Sequence, residues 1–398
     1  MKKVQTKILA FGSILAVLVL SASLFLVMGI GVFAKHATPA NPSTSGSGGT
    51  IKNAKPINYE FTSGITAADI DGANTLEGAA IAAGSAHNYV TALHWKSTFT
   101  FNGTTFRYTM IGTAPTAGNV TSVIPVNIIP VELTFASDGS IFNGNDILKQ
   151  TVQSPIFKNA QFTSGNTQFG DAIQRAEFFK VESPNYHVLL SKPQVLPTLS
   201  LTVPVAKGVT GKLQGATVTI GLVDVNWYDN ELRSQLIPRH ISTKSLTIFL
   251  VHNVFKSPDI TTGSCCIGGY HNAVKINHHL FTYAESTYND PGAFPAGAFQ
   301  TFSEDINALS HETAEWYNDP FVNNLVPPWS VASLGIACQN NLEVGDPLVG
   351  DSFLVNGYHP QNEAFFSWFA RQSPSIGQGG RYDYLGHFTT FSTPGTGC

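Results

Sequence analysis

A chain of 398 residues has room for two domains, or for one large domain with insertions. Its net charge is −4, which leaves no basic footprint for nucleic acid. Only 12% of residues are charged, roughly half the usual share, while aromatic residues reach 11%. That balance suits an extracellular, β-rich protein with a packed core and long polar loops.

The N-terminus carries Lys2, Lys3 and Lys7, followed by an uncharged run from Ile8 to Ala34. A cationic start before an apolar run is the pattern of export. Small residues around Val32-Phe33-Ala34 offer a cleavage site and favour release. Left uncut, the same segment is long enough to anchor the chain in a bilayer, the one way in which a membrane would be a partner. Residues 1–34 are therefore read as signal peptide or anchor. Residues 35–52, rich in Pro, Ser, Thr and Gly, form a linker too polar to fold.

From 53 to 205 short β-type runs dominate, at 97–101, 104–111, 120–135 and 186–190. Asn102-Gly103 between two aromatic runs predicts a hairpin. The Ala-rich stretch 66–93 could hold one helix. No catalytic constellation stands out, so this half is read as a β-rich packing or recognition region.

The second half, 206–398, changes character. Strands are expected at 218–225, 246–254, 270–276 and 279–283, a short helix at 229–236, and a turn around Gly263 and the adjacent Cys265 and Cys266. The clearest helix spans 304–317. Ser303 suits its N-cap, and Asn318-Asp319-Pro320 stops it. Ile306, Leu309, Thr313, Trp316 and Tyr317 fall on one apolar face.

That helix contains His311-Glu312-Thr313-Ala314-Glu315. At roughly 100° per residue, His311 and Glu315 point about 40° apart, opposite the apolar stripe. This is the geometry in which two side chains grip one ion. Zinc accepts both imidazole and carboxylate; a carboxylate-rich site also suits Mn²⁺ or Ca²⁺. Glu312, about 100° round from His311, is placed to take a proton from a water activated by the metal. The competing reading is that His, Glu and Glu lie on the solvated face of an ordinary amphipathic helix. Adjacent His278 and His279 would face opposite ways on a strand. His252 and His271 sit in apolar strands and read as core or hydrogen-bonded histidines. Phe365, Phe366, Trp368 and Phe369 read as core.

The run Ser310-His311-Glu312-Thr313-Ala314-Glu315-Trp316-Tyr317-Asn318-Asp319-Pro320 resembles secreted bacterial zincin-like, metallopeptidase-like proteins. These carry a His-Glu-x-x-Glu helix followed by Asp-Pro, then a Trp and an acidic Glu-x-x-Asp element beside a Cys. Trp329, Cys338 and Glu343-Val344-Gly345-Asp346 follow in this chain, with the Cys before the acidic element instead of after it. The commoner peptidase helix has a second His where this one has Glu315. The resemblance covers about 218–398. It implies an α+β protein whose β-rich N-terminal region precedes a zincin-like domain, and a zinc-dependent hydrolase of extracellular protein or peptide. It implies Glu343 as a third metal ligand beside His311 and Glu315, with Asp346 orienting His311 through its second ring nitrogen, or the two acids exchanged. Asp319 is read mainly as a helix terminator. His359 or Tyr358 is a candidate to stabilise an oxyanion. The rival function is a non-catalytic adhesive or glycan-binding protein on a degenerate version of the same fold.

Export permits disulfides, and Cys338 with Cys398 is the expected pair, with Cys265 and Cys266 as competitors. The leader reading has a direct test. Exported protein should begin near Lys35 or Thr38 on N-terminal sequencing; full-length chain found only in membranes would mean an anchor.

Overall fold

The computed structural model describes residues 89–178, 183–213, 215–261, 266–294, 304–331, 336–374, 379–390 and 398. The leader, the linker, residues 66–88 of the Ala-rich stretch, Ser303, Gly263 and Cys265 lie outside these. In chain order the first strands are β1 (His94–Phe101), β2 (Thr104–Ile111), β3 (Thr121–Ile124), β4 (Val126–Phe135) and β5 (Ile141–Asn143). Then come α1 (Leu148–Gln153), β6 (Ala160–Phe162), β7 (Gly165–Thr167), α2 (Phe169–Glu177), β8 (His187–Leu190), β9 (Gln194–Val195) and β10 (Leu199–Val203). The second half holds β11 (Gly208–Gly211), β12 (Ile220–Asp224), α3 (Val225–Arg233), β13 (Leu246–His252), β14 (Val254–Ser257), β15 (Gly269–Ile276) and β16 (His279–Tyr288). It ends with α4 (Asn307–Asn318), β17 (Leu325–Val331), β18 (Ile336–Asn341) and α5 (Phe366–Phe369).

The fold is mixed α/β and strand-rich. β1 and β2 form the expected antiparallel hairpin, with Phe101 opposite Thr104. Asn102 and Gly103 both have positive φ, at 47° and 79°, as a two-residue turn that follows strand twist requires. The single strand expected over 120–135 is broken at Pro125, which has no N–H to donate. β3 pairs with β8, while β4 enters a different, larger sheet.

That sheet runs in the order β10-β4-β13-β16-β15, with β5 and β9 also paired to β4. Its central pairs are parallel, and β15 closes one side antiparallel to β16. β4 and β10 come from before residue 205 and β13, β15 and β16 from after it. The boundary expected at 205 is therefore no division of the fold. The described residues all fall in one compact unit.

Strand alternation gives the sheet two apolar faces. Ile128, Ile248 and Ala284 are in register across three strands and share a core with α2 and α4. Ile129, Phe249 and Tyr283 face the other way and pack with Val225, Tyr228 and Leu232 of α3. Helices thus cover both faces. α3 starts earlier than expected because Asp224 caps it, its side chain accepting from the Trp227 N–H at 2.8 Å. The expected 246–254 strand is interrupted at Asn253, whose φ is 54°.

α2 was not expected in the β-rich half. It is buried along nearly its whole length and packs on α4. Gly170 makes that approach close: a Cβ there would lie 2.6 Å from the Tyr317 ring. The Tyr317 hydroxyl donates to the Val188 carbonyl at 3.0 Å and holds the ring in place. Phe365, Phe366, Trp368 and Phe369 are buried, as core residues should be. Cys338 and Cys398 lie at disulfide distance, with Cα atoms 5.6 Å apart, and Cys266 is also disulfide-bonded. Among the described residues no helix is long and apolar enough to cross a membrane.

The α2–α4 contact yields a stability test. Gly170→Ala should lower unfolding free energy by about 1–3 kcal/mol, the usual cost of overpacking, as read by denaturant titration. An unchanged midpoint would mean the two helices do not meet this closely.

Candidate metal centre

α4 begins at Asn307, three residues later than expected. Asp305 has a positive φ of 46°, and its carboxylate accepts from the Ile306 N–H at 2.5 Å. Past that turn, every residue from Leu309 to Asn318 is buried. The solvated face of the competing reading does not exist. His311 is 7% exposed, Glu312 2% and Glu315 0%.

Two pieces of chain cover that face. One is β15. His271 pairs with Ala284 in the ladder, which extends the row Ile128–Ile248–Ala284 and turns His271 toward α4. Gly269 permits the approach, since a Cβ there would meet Glu312 Cγ at 2.7 Å. The other is the segment after β18. Gly345 lies flat against the His311 ring; a Cβ on it would fall 2.5 Å from Nδ1. The Gly345 N–H donates to Glu315 Oε1 at 3.2 Å, and its carbonyl accepts from Gln361 Nε2 at 2.8 Å. The Gln361 N–H in turn donates to Ser310 Oγ at 2.8 Å.

Glu315 stands at the middle. Its Oε1 lies 3.1 Å from His311 Nε2, and its Oε2 3.4 Å from His271 Nδ1. Asp346 Oδ1 approaches His311 Nε2 at 3.7 Å. Glu312 Oε2 is 3.5 Å from His271 Nδ1. His271 Nε2 lies 3.2 Å from the Asp319 carbonyl oxygen, to which an N–H donates. In the neutral imidazole this leaves the Nδ1 lone pair facing two carboxylates. Such an arrangement needs a positive charge between its members, either a proton or a metal ion.

Burial pushes the acids toward their neutral forms. Glu312 is raised, and Glu343 and Glu363 are raised well above the usual carboxylate range, Glu343 with help from the Glu315 charge. Glu315 is the exception. Burial works to raise it, but His311 and His271 on its two sides bring it down to about 2. Burial works to lower both histidines, and the facing carboxylates hold both well above the ordinary value. Protonated histidines or a bound cation would each compensate the charge on these acids.

Whether the residues fit a metal can be tested on their unsatisfied atoms. His271 Nδ1, Glu312 Oε2, Glu315 Oε2, Glu343 Oε2 and both oxygens of Glu363 are buried without a hydrogen-bond partner. Buried polar atoms are seldom left so. Two sets of three residues have ligand atoms within 4.8 Å of one another, His271 with Glu312 and Glu315, and His311 with Glu315 and Asp346. Nitrogen and carboxylate oxygen are a donor set that zinc and manganese both accept.

The structure thus brings together His311, Glu312, Glu315 and Asp346. Asp346 faces the same His311 nitrogen as Glu315, so it stands as a candidate ligand and not as a partner of the second ring nitrogen. Glu343 is buried and couples electrically to Glu315 and His271, yet belongs to neither set. His359 is bound to Asp305 at the N-terminal end of α4, its Nδ1 2.8 Å from Oδ2. Tyr358 donates to the Gln150 carbonyl. Asp319 spends its carboxylate on the N–H groups of Asn323 and Asn324, each at 3.0 Å, as a helix terminator. His278 lies in the β15–β16 turn with φ at 65°, and His252 pairs with Asp290 at 3.0 Å.

Sequence reasoning missed two residues. His271 reads in the sequence as a core or hydrogen-bonded histidine, and its Nε2 does lie 3.2 Å from the Asp319 carbonyl oxygen; only the strand register shows that Nδ1 faces the centre. Glu363 sits in Asn362-Glu363-Ala364-Phe365-Phe366, where an acid entering an apolar run was the available signal. Comparison of the chain with protein-family models, with curated proteins and with solved structures gave no match.

Gly345 offers a test of the geometry. Gly345→Ala should displace the His311 ring and weaken Zn²⁺ binding by about 10–100-fold, the scale of losing a group that orients a ligand, measured by chelator competition. Affinity equal to the parent's would mean that His311 is not a ligand in this pose.

Proposed function

We propose that this protein is an exported, metal-dependent hydrolase, a zinc peptidase-like protein acting on extracellular protein or peptide. The observation that carries the reading is the convergence, around Glu315, of buried carboxylate oxygens and a histidine nitrogen that make no hydrogen bond. The His-Glu-x-x-Glu helix, packed against β15 and β16, also fits the zincin-like resemblance in its sequence.

A bound divalent ion would supply Lewis acidity and bring the pKa of a water toward neutrality. His311, Glu315 and Asp346 would hold it, with Glu315 fixed by the Gly345 N–H and the His311 ring fixed by Gly345 itself. Glu312 Oε1, 4.0 Å from His311 Nε2, is placed to take the proton of an attacking water. Its raised pKa, from burial first, makes it a stronger base than an exposed glutamate. The His311 side chain is 9% exposed and the His271 side chain 2%, so the small opening to solvent lies beside His311.

One observation favours a second reading. Structural metal sites are closed, whereas catalytic ones keep a position open, and the acids here are 0–2% exposed. In that reading the ion stabilises a non-catalytic binding protein.

One series separates the two. Glu312→Gln should reduce casein or peptide hydrolysis by about 10²–10⁴-fold, the scale of a general base, in protein that stays folded and still holds metal. His311→Ala should lose hydrolysis and Zn²⁺ together. Parent protein that binds Zn²⁺ but hydrolyses nothing would establish the structural role instead.

A further inference from the structure

Glu315 divides its oxygens between two histidines that belong to different ligand sets. Oε1 faces His311 Nε2 at 3.1 Å and Oε2 faces His271 Nδ1 at 3.4 Å. Glu312 repeats the division, with Oε2 3.5 Å from His271 Nδ1 and Oε1 4.0 Å from His311 Nε2. Each set of ligand atoms closes within 4.8 Å, and neither contains both histidines. One ion at His311 would leave His271 Nδ1, Glu312 Oε2 and Glu315 Oε2 as they stand now, buried and without hydrogen bonds.

We propose that the centre holds two divalent cations, one between His311, Glu315 and Asp346 and one between His271, Glu312 and Glu315, with the Glu315 carboxylate bridging them. The proposal rests on the reading of this centre as a metal site and adds a second position to it.

Glu312, Glu315 and Asp346, the carboxylates of the two sets, are all buried beside the two histidines. Lys256 is already paired with Glu285 and donates to the Gly268 carbonyl at 2.9 Å. Two-metal sites hold their ions roughly 3.5–4 Å apart, a span one carboxylate bridges. The second position has its own orienting contact as well: the Asp319 carbonyl accepts a hydrogen bond from the His271 Nε2–H and aims Nδ1 inward. Glu312 keeps Oε1 toward the first set, so the proton-accepting role given to it above survives a ligand bond through Oε2.

The test counts ions and asks whether they touch a common ligand. Full-length protein is stripped with chelator, dialysed against Mn²⁺ and, separately, Zn²⁺, and its metal is measured by mass spectrometry. Low-temperature electron paramagnetic resonance is recorded on the Mn²⁺ form. Two ions per chain with an exchange-coupled manganese spectrum are expected. One ion per chain overturns the second position and leaves the metal reading standing. No bound ion of either kind overturns both. Two ions with an uncoupled six-line spectrum overturn the Glu315 bridge. His271→Asn and Asp346→Asn should each lower the count from two to one, and Glu315→Gln should lower it to none, with circular dichroism unchanged. A count of two in His271→Asn overturns the assignment of that residue. Should these variants fail to fold, the parent's count and spectrum decide.

Discussion

Glu315 is a buried carboxylate that stays ionised, and much of the surrounding architecture answers to that. An anion with no exposed surface needs compensation from several directions at once. It receives a histidine from its own helix, a histidine from a sheet strand, and a backbone N–H from the loop after β18. These come from three separate parts of the chain. The two from outside the helix arrive where glycine allows contact: Gly269 lets β15 come close to α4, and Gly345 lets the loop lie on the His311 ring. A side chain at either glycine would separate the elements that Glu315 holds together.

The polar interior does not end at the proposed ligands. On the other face of the sheet, the Tyr270 and Tyr283 hydroxyls both donate to Asp229 Oδ1, whose other oxygen pairs with Arg233 at 2.9 Å. Lys256 and Glu285 form a buried pair between these two regions, and Glu285 is pushed up to about 7 by burial although Lys256 opposes the shift. Buried ion pairs contribute little net stability, and breaking one by removing a single partner is strongly destabilising. Their value lies in allowing only one arrangement. A strand register shifted by one residue would turn His271 to the α3 side and Tyr270 toward α4, leaving both networks unpaired.

How much of this could be read in the sequence follows from which interactions are local. The β1–β2 hairpin was legible because Asn102-Gly103 fixes its turn. The end of α4 was legible because Asn318-Asp319-Pro320 stops a helix. His311, Glu312 and Glu315 were legible because helical spacing alone puts them together. What failed was long-range. Nothing near His271 states that Ala284 and Ile248 are its neighbours across the sheet. α2 was missed because its residues read as polar, and their burial comes from α4. The boundary at 205 followed a change in composition, whereas the sheet follows pairing. Pro125 was visible in the sequence, yet Pro130 sits inside β4 unbroken, so a proline alone does not say where the chain passes from one sheet to another.

That pairing has a consequence for how the chain reaches its structure. β4 and β13 lie side by side at the centre of the sheet, with Leu246 next to Val126. Their contact closes a long loop before it returns any stabilisation, and parallel pairing of this kind is intrinsically slow. While β13 is still unmade, β4 has only its partners from the first half, β5, β9 and β10, and the apolar side chains meant for both faces have no complete cover. Until about two thirds of the chain is available, β4 therefore lacks its partner on that side. Metal ligands drawn from β15, α4 and the loop beyond β18 assemble only after that point. Neither the sheet's two covered faces nor the candidate centre can be complete before β13 is available, and a fragment ending at 205 would leave one edge of β4 without the strand that pairs with it.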